Sequence, residues 1–289
     1  MNAADGMWLA PLRGVTVRTF RNVFGAAIRE SGFSGMYAPF IPANPGFRFS
    51  KRLFADILPD GDIAPECELV PQVICKDPAA LREWCKAVKG LGYVRADLNA
   101  GCPFPMIRRK GRGSGLLRTP DALERLLEVG CDEMGAGNFS LKTRLGVERP
   151  DELLELMPTV NRYPLAALAV HARTAVQMYD GEVDRTMFET VRTASQVPVV
   201  YNGDAAANPP QRGVMVGRRF IRSLANRDDA RELLFRYLEA SRRELCGDAP
   251  VLGRMKELLS YWCREPSWRR LWPMIKICRN IEELMLCCR

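Results

Sequence analysis

A single histidine, His171, occurs in the 289 residues. Chemistry that needs an imidazole must use that one ring, and a zinc site of paired cysteines and histidines cannot be assembled around it. Ten cysteines are present, at 67, 75, 85, 102, 131, 246, 263, 278, 287 and 288, but no CxxC pair occurs among them. Most are therefore read as reduced, small apolar fillers, and no metal site is expected. Also absent is an apolar run of the ~18 residues that a membrane helix requires. The opening MNAADGMWLAPLRG carries an early acid and lacks the basic and apolar segments of a secretory leader. A cytoplasmic protein with no membrane segment is expected, and a monomer.

Acids are missing from one stretch in particular. From Phe104 to Arg118 there are five basic residues and no acidic one. Over the whole chain 42 Lys and Arg stand against 34 Asp and Glu, a net charge of +8. From Gly217 to Arg289, 16 basic and 10 acidic residues leave +6 of that excess in the last quarter. Such an asymmetry suits either a polyanion partner or a solvated helical surface.

The 47% hydrophobic content is enough to bury a sizeable core. Eight β-branched or apolar runs recur: Met7 to Leu12, Gly35 to Phe40, Glu68 to Ile74, Tyr93 to Leu98, Asn138 to Arg144, Ala166 to His171, Gln196 to Tyr201 and Gly213 to Gly217. Helix-patterned segments separate most of them. In DPAALREWCKAVKGLG, Leu81, Trp84, Cys85 and Val88 fall on one face; in TPDALERLLEVG, Thr119 is a cap, Pro120 the first helical residue and Gly130 a terminal glycine. Strand and helix in alternation predict a parallel sheet, and eight repeats favour a TIM (β/α)8 barrel. The nine residues Asp204 to Arg212 are too few for a crossover helix, so the helix between strands seven and eight is expected to be missing. After Gly217 the pattern is helical only: a face of Leu233, Leu234, Tyr237, Leu238, Ser241 and Leu245, then Val251 to Cys263 and Trp268 to Cys287. The expected organisation is a barrel over 1–222 and a small all-α domain over 223–289.

Polar residues gather at the strand ends, where barrel chemistry is assembled. Cys102 follows strand four in DLNAGCPFP, next to Arg108, Arg109 and Lys110, which would favour its thiolate. The glycine-rich remainder, Arg108 to Gly115, could offer backbone N–H groups and guanidinium groups to phosphates, but lacks the lysine-hydroxyl ending of a nucleotide-hydrolysing loop. Lys142 and Arg144 alternate in LKTRLG and share a side, as do His171 and Arg173 in VHART. Together they suggest an anion or flavin pocket. Asn202-Gly203-Asp204 and Gly217-Arg218 end strands seven and eight, the usual phosphate seat of such a barrel.

These stretches, LAPLRGVT, PQVI, DLNAGCPFPMIRRKGRGSGLL, LKTRLGV, VHARTAVQMYDGEVD, VVYNGD and GVMVGRR in that order, resemble the tRNA-dihydrouridine synthases. The resemblance runs over roughly residues 7 to 263. It implies an FMN-bearing TIM barrel with a helical C-terminal domain that reduces uridines of tRNA to 5,6-dihydrouridine, with NADPH as reductant. Cys102 matches the cysteine that protonates C5 of uracil. Pro11, Leu12, Arg13, Gln72, Lys142 and His171 match residues that meet the flavin, and Asn202, Gly203, Asp204, Gly217 and Arg218 match positions around its ribityl chain and phosphate. Asn99 and Arg173 resemble residues that meet the target base and its backbone, while Arg108, Arg109 and Arg112 would hold tRNA phosphates. The sequence departs from the family in the short segment after Asp204 and in Arg219, where glycine is usual. A catalytically impaired tRNA-binding descendant is thus the alternative reading, and a flavin enzyme for a small metabolite a third.

Overall fold

The computed structural model describes residues 5–59, 67–204 and 213–288. Eight parallel strands form a closed ring: β1 (Met7–Leu9), β2 (Gly35–Tyr37, resuming at Ile41–Pro42), β3 (Glu68–Val70 and Gln72–Ile74), β4 (Ala96–Ala100), β5 (Phe139–Gly146), β6 (Ala167–Thr174), β7 (Val199–Asn202) and β8 (Val214–Val216). Each pairs with the next, and β8 returns to β1 with Met7 opposite Val214 and Leu9 opposite Val216. Pro71 interrupts β3 because it has no N–H to donate. Its carbonyl still accepts from Asp97 N at 2.9 Å, so the ring is not broken there. This is the TIM barrel that the alternation predicts. The expectation of an absent helix between β7 and β8 falls on residues 205–212, outside the described residues.

Inside the barrel, one side is apolar. Trp8 meets Tyr37 edge-on at 5.5 Å, and Val70, Ala167, Ala169, Val200 and Met215 fill the space around them. Gly35 has no side chain because a Cβ there would lie 2.5 Å from the Trp8 ring. Outside, amphipathic helices cover the strands. Asp77 starts the Pro78–Gly90 helix by accepting from Ala80 N at 2.9 Å.

Several local expectations need correction. The helix after β4 runs to Met134 and closes on Gly135, while Gly130 lies inside it, where any Cβ would run into the Phe139 ring. Thr119 occupies the cap position, but its hydroxyl donates back to Leu116 O at 3.3 Å instead of capping. The segment Trp268 to Cys287 is not one helix but three short ones, Pro266–Arg269, Trp272–Ile277 and Ile281–Cys288. Cys278 is extended, and Asn280 accepts from Glu283 N at 2.8 Å, which starts a new helix instead of continuing the old.

The two long C-terminal helices, Ala230–Glu244 and Asp248–Trp262, pack on the first barrel helix, Arg18–Val23. Phe20, Phe24, Tyr237 and Trp262 are fully buried there, with the Phe20 and Phe24 rings stacked at 4.5 Å and Trp262 edge-on to Phe24 at 6.3 Å. Among the described residues no helix is long and apolar enough to cross a membrane.

Candidate active site

Side chains alternate along a strand, so every second residue of β3 to β7 points into the barrel. The register then stacks them. Asp97 lies opposite Gln72 on one side and Ser140 on the other; Asn99 lies opposite Lys142, Arg144 opposite His171, and His171 opposite Asn202. The result is a polar arc that climbs from Asp97 and Ser140 to Arg144 and His171. It faces a cavity of about 1380 Å³ at the C-terminal end of the strands.

Cys102 forms part of the cavity wall just beyond β4. Its turn is held by Asn99, whose Oδ1 accepts from Gly101 N at 3.1 Å and Cys102 N at 2.9 Å. From below, Ser114 N and Oγ both donate to Cys102 O, at 3.1 and 2.9 Å. The glycines of this loop serve that packing. Gly113 has φ +55°, and a Cβ on it would lie 2.8 Å from Cys102 Cβ; one on Gly115 would lie 2.4 Å from Arg108 O. Residues 113–117 are buried, so this half of the expected phosphate cradle is a platform under the cysteine.

The electrostatics of Cys102 also differ from expectation. Burial pushes its thiol pKa up, and the cations that oppose this are Arg144, Arg13 and Lys142, not Arg108, Arg109 or Lys110. The thiol is therefore held in its protonated form.

Lys142 Nζ donates to Asn202 Oδ1 at 2.8 Å, and Asn202 Nδ2 donates to Met215 O at 2.8 Å, which fixes the amide. Burial, then Arg144, pulls the Lys142 ammonium down to about 8. His171 is pulled well below its ordinary value, first by burial and then by Arg144, Lys142, Arg173 and Arg218, so its ring is neutral at neutral pH. Both Lys142 and Arg144 lie within β5, and His171 within β6, because those strands run on to Gly146 and Thr174. Arg144 ties loops together: Nε donates to Gly101 O at 2.9 Å, and Nη1 to Thr174 O and Met178 O at 2.9 and 2.7 Å.

The cavity wall collects Pro11, Leu12, Arg13, Asn99, Cys102, Arg109, Lys142, His171, Asn202, Gly203, Asp204, Gly217 and Arg218. Gln72, Arg173, Arg108 and Arg112 are not on it. Gln72 is fully buried between Asp97 and Asn99. Arg173, 2% exposed, donates to Gly181 O at 2.7 Å and to Asp204, and its Nη1 is buried without a partner. Arg218 donates to the other oxygen of Asp204 at 3.1 Å, and together the two arginines hold that carboxyl below its usual range despite its partial burial. Arg112 is half-buried with an unpartnered Nε.

Other wall residues went unread in the sequence. Tyr179 stands between Arg144 and Arg218, whose guanidinium carbons lie 5.3 and 5.0 Å from its ring centre. It follows Met178, which has φ +51°, a turn that leaves no periodic signal. Arg222 and Tyr261 come from helices after β8, and Arg264 from the turn that follows the second of them. Asp97 and Ser140 could have been found by counting back two positions from Asn99 and Lys142.

As a vessel, the cavity suits a molecule with a flat apolar body and an anionic end. Ala10, Pro11 and Leu12 supply an apolar lip, while Arg218, Arg219 and Arg222 supply charge. Gly217 keeps the gap between them open, since a Cβ there would lie 3.1 Å from Ala10 Cβ. A flavin mononucleotide fits that description.

Comparison with known proteins gives the family. The family model described as dihydrouridine synthase (Dus) matches residues 8–219. The tRNA-dihydrouridine synthase B of Vibrio cholerae is 28% identical over 204 residues, which is 69% of this chain and 60% of that protein. A probable tRNA-dihydrouridine synthase of Rhodobacter capsulatus is 30% identical over 228 residues, 73% of this chain and 66% of that one. The chain thus spans about 60% of the length of the first of these relatives. Among solved structures, the old yellow enzyme homologue from Zymomonas mobilis superposes with a TM-score of 0.56 at 11% identity, covering 76% of this chain and 86% of that one. Morphinone reductase gives 0.52 at 11% identity, over 77% and 85%. At that identity the two share the barrel and no more. Since the Dus match takes in β1 through β8 and every strand-end residue of the cavity, the chain belongs to the dihydrouridine synthase family.

Proposed function

We propose that this chain reduces uridines of tRNA to 5,6-dihydrouridine, with FMN in the barrel cavity and NADPH as the reductant. One observation carries the reading: Cys102, a thiol kept protonated by burial, shares a cavity wall with Lys142, His171, Asn202 and Gly203. Bound and reduced, the flavin would supply hydride to C6 of the uracil. Cys102 Sγ–H supplies the proton to C5, and the resulting thiolate, faced by Arg144, Arg13 and Lys142, is reprotonated from solvent. Pro11, Leu12 and Arg13 hold one edge of the flavin, Lys142 donates to its ring, and Asn202, Gly203, Gly217 and Arg218 surround its polar tail. Neutral His171 donates or accepts without adding charge. Gln72 and Arg173 support this set from behind the wall: Gln72 orients Asn99, and Arg173 braces Asp204.

For the tRNA, Asn99 lies beside Cys102, where an extruded base must enter. Arg109 is exposed on the rim, with Arg108 and Arg112 half-buried next to it. The basic helical segment from residue 223 onward extends that surface, and a cytoplasmic monomer acting on tRNA follows from the same reading.

Replacing Cys102 with Ala is expected to abolish dihydrouridine formation while sparing tRNA binding and flavin content. Mapping dihydrouridine in tRNA from cells with and without the protein tests the activity itself. Purified protein that stays colourless after incubation with FMN would sink the proposal.

A further inference from the structure

Below the cavity, four side chains form one continuous hydrogen-bonded chain. Ser140 Oγ donates to Asp97 Oδ1 at 2.6 Å; Gln72 Nε2 donates to Asp97 Oδ2 at 2.7 Å; Asn99 Nδ2 donates to Gln72 Oε1 at 2.8 Å. Asn99 Oδ1 then accepts from Gly101 N and Cys102 N. All four residues are buried.

The direction of this chain is dictated from its upper end. Backbone N–H groups can only donate, so Asn99 must turn its oxygen to the Cys102 turn and its NH2 group down. Gln72 must then offer its oxygen upward and its own NH2 group down. Position 97 must therefore supply an acceptor to Gln72, which a carboxyl group does with or without a proton on the oxygen that faces Ser140. Ser140 can adapt at the lower end, because its hydroxyl also lies 3.3 Å from Ala96 O and can donate there while accepting from position 97.

We propose that Asp97 is a positioning residue for Cys102: by fixing both amides in one direction, it holds the turn that aims the thiol into the cavity. The inference rests on the reading of Cys102 as proton donor for its catalytic meaning, but the geometry it asserts can be measured without turnover.

Asp97→Asn preserves the chain, since the new amide oxygen accepts from Gln72 and the new NH2 group donates to Ser140 Oγ. Ser140→Ala also preserves it, since Asp97 keeps Gln72. Asp97→Leu and Asp97→Ala lose it, because an apolar side chain offers Gln72 no acceptor. Dihydrouridine formation by Asp97→Asn or Ser140→Ala is expected to stay within about twofold of wild type. Both apolar variants are expected to fall roughly tenfold or more, since they leave the Gln72 NH2 group buried without a partner. Independently, iodoacetamide labelling of Cys102 in the full chain, read by peptide mapping against exposed Cys246, should match wild type in Asp97→Asn and Ser140→Ala and change severalfold in the other two. Asp97→Asn as impaired as Asp97→Leu, or an Asp97→Ala variant that labels and turns over like wild type, would overturn the proposal. Should Asp97→Leu not fold, Asp97→Ala decides. Wild-type protein that makes no dihydrouridine would overturn the functional reading alone, leaving the labelling pattern to judge the positioning.

Discussion

Lys142 and Asp97 sit one layer apart in the barrel and are driven in opposite directions by the same burial. Asp97 is pushed up to about 7 and Lys142 down to about 8. Between an ordinary 3.8 and about 7, the folded protein keeps a proton on Asp97 that the unfolded chain releases, so stability falls as pH rises through that window. Between about 8 and an ordinary 10.5, the folded protein carries a neutral amine where the unfolded chain is protonated, so stability rises with pH. In flavin-free protein, Asp97→Asn should remove the acidic-side slope and Lys142→Met the alkaline-side slope. Urea midpoints measured across pH test this, and curves parallel to wild type would contradict it. Cys102, Lys142 and His171 were legible in the sequence because strand periodicity and strand ends expose them. The charge state of Cys102 was not. Sequence proximity pointed to Arg108, Arg109 and Lys110, whereas the cations that act on the thiol reach it across the barrel from β5 and the β1 loop.

Between β4 and its helix, one basic, glycine-rich loop does two jobs that its composition merges. Its second half, around Gly113 and Gly115, is buried under Cys102, and its first half carries exposed Arg109 and Lys110 on the cavity rim. Neither of these side chains has a hydrogen-bond or ion-pair partner among the described residues. Replacing both with Gln should lower tRNA affinity and reduce the slope of log affinity against log salt by roughly 1.5 to 2, as two phosphate contacts would. An unchanged slope would place the RNA elsewhere. Composition could not divide the loop, because glycine marks close packing as readily as it marks an anion cradle. The long helices past residue 228 were legible from their apolar faces. Their short successors were not, since breaks at Cys278 and Asn280 depend on local capping that a hydrophobic pattern averages away.

Closure of the barrel was legible as eight repeats, yet where the C-terminal helices dock was not, because no sequence period encodes which outer helix will receive them. They meet the first barrel helix through Phe20, Phe24, Tyr237 and Trp262. Trp262→Ala is expected to destabilise the whole molecule by about 3–5 kcal/mol in a single cooperative transition. Two separated thermal transitions would show instead that the halves fold independently. The same docking places Ser260, Tyr261 and Arg264 on the wall that also contains Cys102 and Lys142. If the cavity is the reaction chamber proposed above, grafting the C-terminal segment of one family member onto the barrel of another would exchange part of that chamber itself, and a change of RNA preference in such a hybrid would arrive together with a change in turnover.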